Sequence, residues 1–363
     1  MRNVARNRRD ATEATPKPRW KRWLKRSLIV FGVLAVVAGA IIAWAVNRYL
    51  IEHVEIRDVA AYEAAFNASS TTARPLTPTS AKTPNAPNSA SSTSSINTTS
   101  TSAPPDVEKI GTSSYEYAGT TISIQKFEIG KGPEMVTYFV ADVRLADATL
   151  LRSAFAKNEF GRNIIQNTST IAIAHNAIFA INGDYYGFRS SGIIIRNGVI
   201  YRDKPARNGL AIYCDGTMRV YDEKSTTAQA LRDACVYNTL SFGPGLVVNG
   251  EIVPGVEKVK VDTNIGNGGI QGHHPRTGIG MFSPNHFVFV AVDGRAKGYS
   301  KGMRLRDFAQ LFKDLGVREA YNLDGGGSTT MWFNGSVVNN PRGRGKERAT
   351  SDILYIPRQV KGP

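Results

Sequence analysis

Tyr321 to Trp332 read Y-N-L-D-G-G-G-S-T-T-M-W: a short apolar run closed by Asp324, three glycines, three hydroxyls and a second apolar run. Glycine loses more backbone entropy on folding than any other residue, so three in succession inside a folded domain need a local reason. That reason is positive φ or a close approach of backbone to another group. Successive N–H groups in such a loop can also converge into an anion-binding nest. A tight turn between two strands would account for the glycines alone. Asp324 before them and Ser328, Thr329 and Thr330 after them add a carboxylate and hydroxyls that a turn does not need.

Outward from this stretch the chain reads as strands joined by tight turns. Asn197-Gly198, Asp215-Gly216, Asn249-Gly250 and Asn334-Gly335 each sit between apolar runs, the pattern of two-residue hairpin loops. Tyr115 to Lys126, Met135 to Leu145, Ala177 to Tyr186, Asn285 to Asp293 and Asp352 to Ile356 are further strands, rich in β-branched and aromatic residues. Met303 to Gly316 is an amphipathic helix with Leu305, Phe308, Leu311, Phe312 and Leu315 on one face and Gly316 as its stop. Thr168 to Asn176, with a Thr or Ser cap, and Ser225 to Ala234 are shorter helices, and Ala148 to Asn158 a short helix or turn. The expected class is α+β: a largely antiparallel or mixed sheet domain with a few packed helices.

The chain has 363 residues and a formal net charge of +15. Residues 1–26 hold ten Lys/Arg against two acidic residues, so about half of the excess is confined to this arm. Ser27 to Val46 follows with twenty residues and no charge, long enough to cross a bilayer. Trp20, Trp23, Trp44 and Tyr49 flank it as an aromatic belt would. The positive-inside rule puts the arm in the cytoplasm and everything after Tyr49 outside. A cleavable signal peptide with Ala43-Trp44-Ala45 as its site is the alternative, but its apolar region would be shorter. Residues 47–66 are expected as a short stalk and 67–105, almost wholly Ser, Thr, Pro, Ala and Asn, as a disordered linker. The folded domain is then 106–363. Outside the arm the charge excess is modest and no recognition motif is present, which argues against a nucleic-acid partner. Cys214 and Cys235, in an extracytoplasmic domain, are compatible with one disulfide or with two buried thiols.

Three strand-ending segments present a carboxylate beside glycine: Gly183-Asp184, Asp293-Gly294 and Asp324-Gly325. Arg276, Arg295 and Arg348 are candidate anion clamps, since a guanidinium fork matches phosphate oxygens. His175, His273 and His274 are candidate proton shuttles, against the plainer reading of structural histidines. Convergence of these groups would suit a substrate carrying phosphate beside a centre that needs acid–base help or oxocarbenium stabilisation, as a sugar phosphodiester does.

At these residues the sequence resembles the phosphodiester glycosidase domain family, and looks like a bacterial membrane-anchored member. The matching stretches are Ala180 to Tyr186, Ser241 to Gly250, His274 to Gly280, Val292 to Arg295, Asn322 to Met331 and Glu347-Arg348. They recur in the family's order over roughly Lys109 to Ile356. Gly278 stands where many members have alanine. The resemblance implies hydrolysis of a sugar-1-phosphodiester at the anomeric C–O bond, in cell-surface, cell-wall or exopolysaccharide metabolism. It implies Arg276, Arg348 and the N–H groups of Gly325, Gly326, Gly327 and Ser328 on the phosphate, with Arg295 and Thr329 beside them. Asp324 or Asp293 would stabilise the oxocarbenium ion or activate water. Asn182, Asp184 and Tyr185 would hold the sugar, and His274 would assist proton transfer. No cofactor is implied. The oxygens of Asp184, Asp293 and Asp324 are a candidate set for a divalent cation such as calcium or magnesium, although no spacing matches an established metal loop. A non-catalytic polysaccharide-binding or assembly module is the second function class.

Overall fold

In the computed structural model, residues 19–71, 107–261 and 269–359 are described. Most of the basic arm and of the Ser/Thr/Pro-rich linker lie outside them. The chain divides into two compact units, Met1–Ile51 and Glu52–Pro363.

In the first unit, Arg19–Tyr49 forms one helix, α1. Its part Arg26–Tyr49 has a mean hydropathy of 2.7 and none of it is buried, so it is long and apolar enough to cross a membrane.

The second unit is α+β, and every strand pair among its described residues is antiparallel. A nine-stranded sheet has Arg276–Ser283 and His286–Val292 at its centre, flanked by Glu319–Asn322 and Val136–Arg144. A five-stranded sheet places Ala177–Asn182 between Met331–Phe333 and Asp352–Pro357. A three-stranded sheet and two two-stranded sheets, one of them a hairpin, complete the set. Each of the four expected two-residue turns joins adjacent antiparallel strands.

Alternation along one strand explains the layering. Phe287, Phe289 and Ala291 face the core shared with Phe179, Ile181, Leu354 and Ile356 of the five-stranded sheet. Val288, Val290 and Val292 face the other way, against Leu305, Phe308 and Phe312. Both faces are buried, which is why the run carries no polar alternation. The helix on that outer face, α5, spans Leu305–Asp314 and ends where Gly316 turns to φ +83°. It starts two residues later than expected because Met303 pairs with His274 in an isolated bridge. On the far side, α3 (Thr168–Ala174) packs Ile171 and Ala172 on the five-stranded sheet. The helix α4 (Ala228–Asp233) is capped by Thr227, whose hydroxyl accepts from the Ala230 N–H at 3.1 Å.

Three expectations are corrected. Residues 148–158 contain a strand, Arg152–Phe155, because it pairs with Asp352–Pro357. No Thr or Ser caps α3; its Ser169 N–H and hydroxyl instead donate to Glu347, 178 residues away. The second unit begins at Glu52, not at residue 106. Of the expected stalk, His53–Ile56 is a strand paired with Phe160–Arg162, and Val59–Thr71 is a helix, α2, whose Val59 is buried in an aromatic cluster. Cys214 and Cys235 form a disulfide.

Candidate active site

The D-G-G-G-S stretch is the crossover between the two main sheets: Glu319–Asn322 lies in the nine-stranded sheet and Met331–Phe333 in the five-stranded one. Each glycine has a local cause. A Cβ on Gly325 would stand 2.7 Å from the Pro275 carbonyl oxygen, and one on Gly327 would stand 3.0 Å from Cδ of Arg348. Gly326 has φ +62°. The crossover is therefore pressed against Pro275 on one side while Arg348 lies over it.

Asn182 pins the crossover to both sheets. Its Nδ2 donates to the Asp324 carbonyl at 2.7 Å, and its Oδ1 accepts from the Thr277 hydroxyl at 2.8 Å and the Thr330 N–H at 3.1 Å. Both ends of the amide are used and the side chain is fully buried, so Asn182 holds the loop.

Around the crossover stand Asp324, Ser328, Arg348, Arg295 and His274. The Arg348 Nη2 donates to the Ser328 hydroxyl at 2.8 Å and to the Gly325 carbonyl at 3.2 Å, and lies 3.4 Å from Oδ2 of Asp324. Nearly half of the Arg348 side chain remains exposed, against a tenth of Asp324. Burial raises the Asp324 carboxyl above the ordinary range; Arg348 and the Ser328 hydroxyl partly offset this. Arg295, at φ +60°, places Nη2 3.4 Å from the His274 Nδ1. Its guanidinium pKa is lowered, first by burial and then by the like charges of Arg348 and Arg342. His274 is lowered too, by burial and by Arg276 and Arg295, so it is neutral at pH 7. Glu347, bound to α3, fixes the backbone next to Arg348.

Four of the expected site groups have their polar atoms engaged within the domain. Asp184 is fully enclosed: its oxygens accept from the N–H groups of Tyr186 and Ser241 and face Arg196 at 3.3 Å. Asp293 is likewise committed, accepting from the Tyr299 hydroxyl, the Asn339 amide and the Asn340 N–H at 2.8, 2.8 and 2.9 Å. Burial raises its carboxyl as well. Arg276 spends Nε on the Met303 carbonyl and Nη2 on the carbonyls of Ile270 and Gly272, so it ties the 270–272 loop to the start of α5. Burial and Arg295 push it down to about 10. The nest is partly consumed: the Gly326 N–H donates to the Pro275 carbonyl and the Ser328 N–H to the Gly325 carbonyl. Thr329 is buried and its carbonyl accepts from Asn339. Tyr185 is half-buried and stacks on Phe188, ring centroids 4.6 Å apart. Among the described residues no group of three or more His, Cys, Asp or Glu side chains is placed to hold a metal ion, and the three aspartates have separate partners.

The sequence reading missed the most buried charges. Arg196 is fully enclosed with Asp184 and Asp352, its Nη2 2.8 Å from the Asp352 carboxylate. A Cβ on Gly183 would meet that carboxylate at 2.3 Å, which explains the glycine. Arg189 donates to the Ser241 carbonyl at 2.6 Å and lies over the Phe242 ring. The signal available was a charge closing an apolar strand, as in G-I-I-I-R, since such a charge is buried only when paired.

The fold and the residues gathered at the crossover define an α+β domain with a charged cluster where its two main antiparallel sheets meet. A family model described as phosphodiester glycosidase matches residues 175–357, half of the chain, and the chain belongs to that family. An SPbeta prophage-derived uncharacterized protein, YomE, of Bacillus subtilis (strain 168) is 29% identical over 254 residues, 68% of this chain and 37% of the relative. The N-acetylglucosamine-1-phosphodiester alpha-N-acetylglucosaminidase of Mus musculus is 29% identical over 85 residues, 23% of this chain and 15% of its own length. The chain thus spans well under two thirds of either curated relative. Among solved structures, the zebrafish N-acetylglucosamine-1-phosphodiester alpha-N-acetylglucosaminidase catalytic domain, auto-inhibited by its pro-peptide, superposes with a TM-score of 0.54. It is 22% identical, over 67% of this chain and 84% of that one. A hypothetical protein from Synechocystis gives a TM-score of 0.51 at 14% identity, over 70% of this chain and 64% of that one. At these identities the superpositions show the fold alone.

Proposed function

We propose that the chain is a membrane-anchored, extracytoplasmic glycosidase that hydrolyses a sugar-1-phosphodiester of a cell-surface glycan. The observation that carries this is the charge set at the crossover. Two like-charged guanidinium groups that repel each other, Arg295 and Arg348, border adjacent glycines of the crossover, 3.2 Å and 3.1 Å from where Cβ atoms on Gly326 and Gly327 would stand, with Asp324 as the carboxylate beside Arg348. A phosphodiester would relieve that repulsion and use both forks. The basic arm ahead of α1 supports an inward N-terminus and an outward domain.

In the reaction, the bond from the anomeric carbon to the phosphate oxygen breaks and the electron pair leaves with the phosphate. The resulting phosphate monoester is a good leaving group, so it needs charge neutralisation from Arg295 and Arg348 more than it needs a proton. Asp324, ionised, faces the developing positive charge on the sugar and takes a proton from the attacking water. Neutral His274, beside Arg295, can pass that proton onward. Asn182, Asp184, Asp293 and Arg276 act at one remove, by fixing the crossover and the segments that press on it. Tyr185 and Phe188 offer a half-buried aromatic surface to the sugar.

The test is release of free sugar from a synthetic N-acetylglucosamine-1-phospho-methyl diester by the detergent-solubilised full chain, beside Asp324→Asn. Release that vanishes in the variant supports the reading. A variant as active as the wild type would remove Asp324 from it. Glycan binding without release by either chain would point to the binding module.

A further inference from the structure

Residues 52–71 carry an unusual density of specific contacts for a segment that precedes a long Ser/Thr/Pro-rich stretch. His53–Ile56 pairs with Phe160–Arg162 over Gly161, where a Cβ would stand 2.0 Å from the His53 carbonyl oxygen. Helix α2 begins with an exchange across the chain. Asn158 accepts from the Ala60 N–H at 3.2 Å, and its Nδ2 donates to Asp58 at 3.0 Å. Val59 is then buried against Phe155, Phe160, Tyr186 and Ile194. Half-way along α2, one Glu63 oxygen accepts from the Asn197 amide and the Tyr201 hydroxyl, each at 3.0 Å. One turn further on, Arg232 lies over the Phe66 ring at 4.3 Å. These partners come from four separate stretches of the domain. Burial of Val59, directional bonds from Asp58 to Glu63 and a glycine that admits the strand are features of a docked element, not of a spacer.

The connectivity gives this docking a consequence. The described residues run to Thr71 and resume at Val107, and both of these positions belong to the second unit. Only residues 50–52 lie between the end of α1 and the docked strand.

We propose that residues 52–71 are a clasp: a strand and helix that bind the remainder of the domain, residues 107–359, by non-covalent contacts strong enough to retain it when the covalent path through 72–106 is cut. Proteolysis between residues 72 and 106 then does not shed the domain from its apolar helix. The binding partner is the chain's own surface formed by Phe155–Phe160, Tyr186 and the 194–201 hairpin. This inference is independent of the catalytic reading.

The experiment uses the full chain in mild detergent, with an N-terminal affinity tag and a site-specific protease sequence inserted after Asn88. After complete cutting, the tagged N-terminal fragment is captured and the C-terminal fragment is sought in the bound and released fractions. The expected result is that the two fragments stay together and part only in denaturant. In Val59→Asp, which puts a charge into the aromatic cluster, the released share is expected to rise about tenfold or more. Quantitative release of the C-terminal fragment from the cut wild-type chain, without denaturant, would overturn the proposal. That arm carries no substitution in the clasp, so misfolding of the variant cannot obscure it.

Discussion

Arg348 makes contact with a hydroxyl, a backbone carbonyl and a carboxylate while keeping nearly half of its side chain open to solvent. A group that served only to hold the loop would not be left so exposed. Replacing Arg348 with alanine removes one of the two forks offered to phosphate, and is expected to lower turnover by about 10²–10³-fold, as loss of one charge-stabilising donor does. Arg348→Lys keeps the charge but not the fork, and is expected to fall between the two. The same residue sets a pH signature. Burial holds the Asp324 carboxyl above its ordinary value of 3.8, and Arg348 pulls it part of the way back. If ionised Asp324 is the working form, activity falls as pH drops through that raised value. The acid limb of the kcat/KM profile is therefore expected above pH 3.8, and higher still in the residual activity of Arg348→Ala. An acid limb that stays in place when Arg348 is removed would separate the two groups. That Asp324 and Arg348 meet was legible from sequence because one precedes a glycine run and both lie in stretches that resemble the family. The supporting roles of Asn182, Asp184, Asp293 and Arg276 were not. A sequence shows that a polar residue ends a strand, but not whether its hydrogen-bonding capacity is already consumed by backbone groups far away in the chain.

At the scale of elements, the packing of α5 explains the glycine at 278. A Cβ there would come within 2.8 Å of the Phe312 ring and 2.9 Å of the Phe308 ring. Gly278→Ala is expected to cost roughly 1–3 kcal/mol of stability, as overpacking does. A shift in the urea midpoint, with the aromatic pair left intact, would measure it. The disulfide closes a loop of 21 residues between a strand end and the end of α4. Its reduction is expected to lower stability by about 2–4 kcal/mol, read as a lower midpoint in urea with reductant. Hairpins were legible because two-residue Asn-Gly and Asp-Gly turns impose their own geometry, and α5 because its apolar spacing survives over three turns. The strand at 152–155 was not, since its partner lies at the other end of the domain. Nor was the docking of 52–71, whose strand is only four residues long and whose helix is mostly exposed.

For the whole molecule, a second electrostatic centre lies two residues on from Asn182, where Asp184 and Asp352 share the guanidinium of Arg196 in a fully buried cluster. Burial raises Asp352, to about 7, and Asp184 adds to this while Arg196 opposes it. The folded state therefore binds a proton that the unfolded chain has released above an ordinary carboxylate pKa. From this group, stability falls as pH rises from about 4 to about 7 and levels off beyond. Urea unfolding of the wild type at pH 5 and pH 8 is expected to show that slope, and Asp352→Asn to flatten it even if its absolute stability is lower. The central claim rests on the crossover between the two sheets, and the most direct measurement is sugar release from the synthetic phosphodiester by the full chain, compared with Arg348→Ala and Asp324→Asn in parallel. The account predicts release by the wild type, a fall of about 10²-fold or more in each variant, and unchanged folding by circular dichroism. Release undiminished in both well-folded variants would contradict it.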